Sequence, residues 1–195
     1  NTKIFISPGN HDPYLNNSIY ANFNWNNNVI IFNSNIKKYS YEDVDIYGYG
    51  FTDFYCENSI INNLKIENKN KINILVMHAN LDQISDKKYN EVKTKDLDKL
   101  EFDYIALGHI HKRNFDDSMQ ENIIYPGSTL ALGFDEQGKH GIIEGEINNK
   151  DLKLKFIPLD EKEFNIINLD VTEIISKEEL IEKINNLELI ENNYY

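Results

Sequence analysis

The sequence predicts an α/β fold with antiparallel elements of the α+β kind, on three observations. First, three short apolar runs each end in a polar motif: residues 4–6 before Gly9-Asn10-His11-Asp12, residues 72–77 before His78-Ala79-Asn80, and residues 104–107 before Gly108-His109-Ile110-His111. Runs of that length, bounded by polar clusters, read as buried strands. Second, Thr94 with Asp96 in the first turn starts a helix ending near Leu100, which places a β-α-β unit between the second and third runs. Third, several segments after residue 112 alternate with the two-residue period of antiparallel strands. Open α/β sheets bind ligands beyond the carboxyl ends of their strands. The three motifs fall there, and they hold four of the five histidines.

The elements follow in order. Residues 3–6 read as a core strand from the outset. A short helix or turn is expected around residues 19–25, then strands at 29–32, 36–41 and 44–49 in an antiparallel run. Residues 59–64 suit a short helix before the 72–77 strand. Downstream, residues 113–115, 123–125, 141–147 and 152–157 are predicted as antiparallel strands, the last two joined at Asn148-Asn149. Pro158 marks a change of character. Residues 164–169 read as one more strand, and Ser176 with Glu179 as a capping box for a helix through Leu187. Its buried face would be Leu180, Ile181, Ile184 and Leu187. Residues 1–158 are thus expected to form one domain and residues 159–195 to open a small second one, hinged at 159–163. No internal repeat is present, and runs such as Asn26-Asn27-Asn28 read as compositional bias.

Composition narrows the function classes. A chain of 195 residues can bury a sizeable core. Its longest apolar runs are strand-sized, and its first residues lack the pattern of a secretory signal. Cys56 is the lone cysteine, so no intrachain disulfide is available and a cytoplasmic protein is expected. A net charge of −12 repels nucleic acid over most of the surface. That argues against simple DNA binding but not against metal-assisted attack on a phosphodiester, where the ions are the largest local charges. Asn1 is not an initiator methionine, and Asn192-Asn193-Tyr194-Tyr195 follows a helix without a polar tail. Both ends therefore read as interrupted.

Neutral imidazoles and an asparagine carbonyl suit borderline divalent ions such as Mn²⁺, Fe²⁺ or Zn²⁺, and a two-metal hydrolase is the natural hypothesis. Asn10, His78, His109 and His111 are the candidate metal ligands. The two histidines at i, i+2 project from one side of an extended segment, and Gly108 leaves room for an ion or phosphate. His11, next to a ligand, is placed to protonate the leaving oxygen or steady a phosphoryl oxygen. Asp12 either orients that imidazole or caps local backbone amides. His140, between Lys139 and Gly141, is expected to be exposed and without a role, and Cys56 to be a small buried or half-buried residue.

Gly9-Asn10-His11-Asp12, the strand ending in His78, and Gly108-His109-Ile110-His111 resemble, in order and strand context, the last three motifs of the calcineurin-like metallophosphoesterases. Tyr125-Pro126-Gly127-Ser128 and Gly138-Lys139-His140-Gly141 resemble the SbcD-type branch of DNA repair exonucleases, including its bacterial YhaO-like relatives. Phe156-Ile157-Pro158-Leu159, with residues 164–171, resembles that branch's passage into its capping domain. The resemblance spans nearly the whole chain. It implies an αββα sandwich, two divalent metal ions in the intact protein (Mn²⁺ first, with Fe²⁺, Zn²⁺ or Mg²⁺ as alternatives), DNA as substrate and an SbcC-type ATPase as partner.

The resemblance also carries a departure. The family begins with an Asp-x-His motif and a Gly-Asp motif whose aspartate bridges both metals, and neither precedes Asn10. Asp43, Asp45 and Asp53 follow the wrong strands. The chain is therefore expected to be the carboxyl-terminal part of a nuclease domain: a metallophosphoesterase-type sandwich lacking its first strands and helices, followed by the start of a small capping domain. Alone it should show little or no activity. Exposed core surface should drive dimerisation, strand exchange or poor solubility. Two other classes stay open: a phosphoesterase acting on a nucleotide, phosphoprotein or lipid precursor, and a non-catalytic module that binds a partner.

Overall fold

The apolar runs of the sequence become the strands of a five-stranded sheet flanked by smaller strand pairs. The computed structural model describes residues 2–82, 88–118, 120–191 and 193–195; the observations on Asn1 and Asn192 lie outside the described residues. The elements are β1 (Ile4–Ile6), α1 (Ile19–Asn22), β2 (Val29–Ile31), β3 (Lys37–Ser40), β4 (Val44–Tyr49), a 3₁₀ turn (Ile60–Asn63), β5 (Ile72–His78), β6 (Asn80–Leu81), β7 (Glu91–Val92), α2 (Thr94–Asp98), β8 (Tyr104–Gly108), β9 (Ile123–Ile124), β10 (Gly141–Asn148), β11 (Asp151–Pro158) and α3 (Lys177–Asn185). The expected α/β class is the observed one.

The large sheet runs β3-β4-β5-β8-β9. Only β3 is antiparallel to its neighbour; β4, β5, β8 and β9 are parallel. β5 shows how the pattern works, because Asn73, Leu75 and Met77 are buried on one face while Ile72, Ile74, Val76 and His78 are half-buried on the other. The first face packs with Tyr47, Tyr49, Leu97, Phe102, Ile105 and Leu107 into the main core. The second faces the β10–β11 hairpin across an apolar cavity of about 350 Å³ lined by Ile72, Ile74, Tyr104, Ile143 and Leu154 among others.

Several expectations are corrected. β2 does not join an antiparallel run with β3 and β4; it pairs in parallel with β1, in a separate two-stranded sheet, because α1 and its flanking turns form the crossover that parallel pairing needs. β9 is parallel to β8. Residues 113–115 form no strand, since the Asn114 side chain takes the Tyr125 N–H at 2.8 Å in place of a ladder partner. The hairpin turn lies at Asn149 and Lys150, one residue later than expected, both with positive φ (49° and 67°) as a type I′ turn requires. Residues 164–169 contribute only an isolated bridge, Phe164 to Tyr194, with the two rings stacked at 4.7 Å. α3 ends at Asn185, and Ser176 Oγ accepts from Glu179 N–H at 3.2 Å. The Glu179 carboxylate meets Ile175 N–H rather than the cap residue, so only half of the capping box forms. Ile181 and Ile184 remain 46% and 48% exposed, so the predicted buried face is open.

Candidate metal centre

Three strands deliver the site. The stretch after β1 is locked to the end of β4 by Ser7 Oγ donating to the Tyr49 carbonyl (2.6 Å) and Phe51 N–H donating to the Pro8 carbonyl (2.9 Å). That sets Asn10, which is buried, beside the carboxyl end of β5. His78 is the last residue of β5 and stands in register with Gly108, the last of β8. His109 follows at φ = 114°, a conformation that side chains rarely adopt. Such strain costs on the order of 1–3 kcal/mol and is tolerated where surrounding structure over-determines it.

The side chains converge. His78 Nε2 lies 2.8 Å from Asn10 Oδ1 and 3.1 Å from His109 Nδ1, and these two are 3.3 Å apart. Hydrogen bonds cannot satisfy this triangle, because Asn10 Oδ1 carries no proton and each ring nitrogen carries at most one. Either two lone pairs or two N–H groups must face each other along one edge. A cation removes the conflict. With metal–ligand bonds of about 2.1 Å, neighbouring ligands are about 3.0 Å apart in an octahedron and about 3.4 Å in a tetrahedron. Two of the observed edges, 3.1 and 3.3 Å, fall in that range and the third, 2.8 Å, is about 0.2 Å shorter, so this donor set suits a divalent ion.

The rings are packed in place. His78 meets Phe51 at 5.1 Å and His109 at 5.0 Å between ring centroids, and Tyr89 lies 5.1 Å from His109. Gly9 is required: a Cβ there would stand 2.4 Å from the His78 ring. Burial, then the neighbouring His109, pushes the His78 pKa down to about 4 against an opposing pull from Asp12. Burial and the nearby His111 and His11 lower that of His109. Both imidazoles therefore present lone pairs at neutral pH.

The remaining predicted residues surround this triangle. His11 is exposed and takes no part in its bonds. Asp12 Oδ1 accepts from Gly9 N–H at 2.9 Å, and its Oδ2 accepts from the Tyr20 hydroxyl, so the carboxylate ties the turn to α1. His111 hydrogen-bonds to none of the three; it is 61% exposed, with Nδ1 2.5 Å from Glu136 Oε1. Burial works against ionisation of Glu136, but bonds from Leu132 N–H, His111 and Ser128 outweigh it and hold the carboxyl below its usual range. His140 is not exposed as expected. It is 6% exposed, with Nδ1 2.7 Å from Ser128 Oγ and Nε2–H donating to the Glu136 carbonyl at 3.2 Å. Its burial follows from the closure of residues 128–140 on themselves and from Asp160, twenty residues on, which no hydrophobic periodicity announces. Tyr20, Tyr89 and Glu136 were missed because their place comes from tertiary contacts with Asp12, His109 and His111 rather than from any periodic pattern. Among the described residues, no three His, Cys, Asp or Glu side chains group around one point, so no carboxylate joins the triangle. Cys56 is half-buried, its thiol pushed up by burial.

Residues 1–113 match the family model of the calcineurin-like phosphoesterases, whose members typically use divalent metals. The chain is also similar to YhaO of Bacillus subtilis (strain 168), described as an uncharacterized metallophosphoesterase: 29% identical over 180 residues, covering 88% of this chain and 43% of that protein. The chain thus spans less than half the length of this curated relative.

Proposed function

The chain belongs to the calcineurin-like phosphoesterase family, and from that premise we propose that Asn10, His78, His109 and His111 are ligands of a divalent-metal centre for phosphodiester hydrolysis. The protein is read as a DNA exonuclease or endonuclease of the SbcD-type branch, acting in DNA repair with an SbcC-type ATPase in the cytoplasm. The observation that carries the reading is the triangle of Asn10 Oδ1, His78 Nε2 and His109 Nδ1, closed to 2.8–3.3 Å from three separate strand ends.

A divalent ion held there supplies a Lewis acid for phosphoryl oxygen and a lowered pKa for bound water. Mn²⁺, Fe²⁺ and Zn²⁺ suit two imidazoles and an amide oxygen better than Mg²⁺ does. The chain's own groups do the rest. His78 and His109 are held neutral by burial, ready to bind without first losing a proton. His11, exposed beside Asn10, hands a proton to the leaving oxygen. Asp12 fixes the turn that carries it, through Gly9 N–H and the Tyr20 hydroxyl. Neutral donors bring no charge to offset two dications. Carboxylates from beyond this cluster complete the centre, and the chain by itself turns over little or nothing. Residues 159–195 are assigned to a capping segment over the DNA, and residues 1–158 to a nuclease part.

Calorimetric titration with Mn²⁺ tests the core of this reading. Saturable binding by the wild type, abolished in His78→Ala, is the expected result; equal uptake by both refutes it. Residual turnover, sought at high protein concentration, should appear on linear duplex DNA. Cleavage of a small phosphomonoester alone would favour the phosphoesterase reading, and complete silence of the full-length parent protein on both substrates despite bound metal would favour the partner-binding module.

A further inference from the structure

The loop of residues 126–140 does more than connect β9 to β10. We propose that Glu136 is a positioning residue for His111, holding Nδ1–H so that the ring presents Nε2 to the cation; the inference rests on the reading of His111 as a ligand. The carboxylate of Glu136 is only 9% exposed, yet its partner ring is 61% exposed. Besides His111 Nδ1 at 2.5 Å, it meets Ser128 Oγ at 3.1 Å and Leu132 N–H at 3.0 Å. Among the described residues, this is the hydrogen bond seen on the His111 ring, and it sets the ring's orientation.

The same loop grips His111 by its backbone. Ser128 N–H donates to the His111 carbonyl at 2.9 Å. Gly127, at φ = 79°, lies so near that a Cβ would stand 2.6 Å from that carbonyl. Buried His140 closes the loop from behind, through Ser128 Oγ and the Glu136 carbonyl. Its own N–H donates to Asp160 at 2.9 Å. A carboxylate taken out of water is costly, and a loop could be closed without one. A ligand histidine, in contrast, gains from it: a carboxylate on the second ring nitrogen fixes the tautomer, aims the ring and raises the basicity of the first.

The test uses the full chain, with diamagnetic Zn²⁺ alone as the probe and the histidine ring nitrogens followed by NMR as the ion is added. In the wild type the Nε2 signal of His111 should shift on coordination, as should those of His78 Nε2 and His109 Nδ1. In Glu136→Ala, the His111 shift should need about tenfold more Zn²⁺ or beyond, while His78 and His109 respond as before and serve as the internal check on folding. Glu136→Gln keeps an acceptor for Nδ1–H and should fall between. A long-range ¹H–¹⁵N spectrum without metal should show the Nδ1–H tautomer of His111 in the wild type and a mixture in Glu136→Ala. An unchanged Zn²⁺ requirement in Glu136→Ala overturns the positioning role. Failure of His111 Nε2 to shift in the wild type, while His78 and His109 do, instead removes His111 from the ligand set and the proposal with it.

Discussion

Gly9→Ala should disable the metal centre through a single methyl group. The glycine's backbone does not sit in the left-handed region, so alanine brings no torsional penalty and the effect is purely one of contact. The new Cβ would stand 2.4 Å from Cε1 and Nδ1 of His78. Carbon atoms rest at about 3.5–4.0 Å, so the ring must retreat by about 1 Å. It has nowhere to go, with Phe51 and His109 rings at 5.1 and 5.0 Å and Gly108 beneath it. Overpacking of this kind costs about 1–3 kcal/mol, a fall of about 2–12 °C in Tm at about 2–4 °C per kcal/mol for a chain of this size. Displacing Nε2 by about 1 Å breaks a triangle whose edges are 2.8–3.3 Å, so Mn²⁺ binding should be lost or severely weakened. The assay is Mn²⁺ calorimetry beside a thermal melt. Gly145→Ala in β10 is the control, since its Cβ would press only on the flexible end of Leu154 at 2.8 Å, far from the three motifs; it should lower Tm modestly and leave metal binding alone. Wild-type affinity and Tm in Gly9→Ala would refute the claim that this glycine seats His78.

Other consequences are equally direct. His78 titrates at about 4 in the folded chain against 6.5 unexceptionally, so the unfolded state binds the extra proton first; stability of the metal-free chain should decline as pH falls from about 6.5 through about 4, by about 3 kcal/mol, and urea melts of His78→Gln should show a shallower slope. Tyr20→Phe removes a donor from Asp12, which should cost about 1 kcal/mol and weaken Mn²⁺ binding severalfold by loosening the Gly9 turn; unchanged affinity would separate that turn from the site. Exposed Ile19, Leu132, Ile175 and Ile190 and the open face of α3 should drive self-association into a homodimer. Light scattering at high concentration reads this, and a clean monomer counts against it.

What the sequence determined by itself is local. The strands ending in His78 and Gly108, the 3₁₀ turn, α2, and the β10–β11 hairpin all follow from apolar runs, alternation and turn residues within windows of ten or so positions. The motifs were legible because each sits at the end of such a strand. Tertiary structure decided the rest. β2 reads as one more member of a meander, yet pairs with β1, because nothing in a three-residue apolar run states which edge it will join. Asn10 and His109 are 99 residues apart, and their donor atoms meet only because β4, β5 and β8 lie side by side in parallel with β1's loop pinned across their ends. Glu136 and His140 carry no periodicity and belong to no strand or helix. Glu136 reaches His111, and His140 is buried behind it, through a loop closed by its own side chains, and burial produced by such closure leaves no trace in local periodicity.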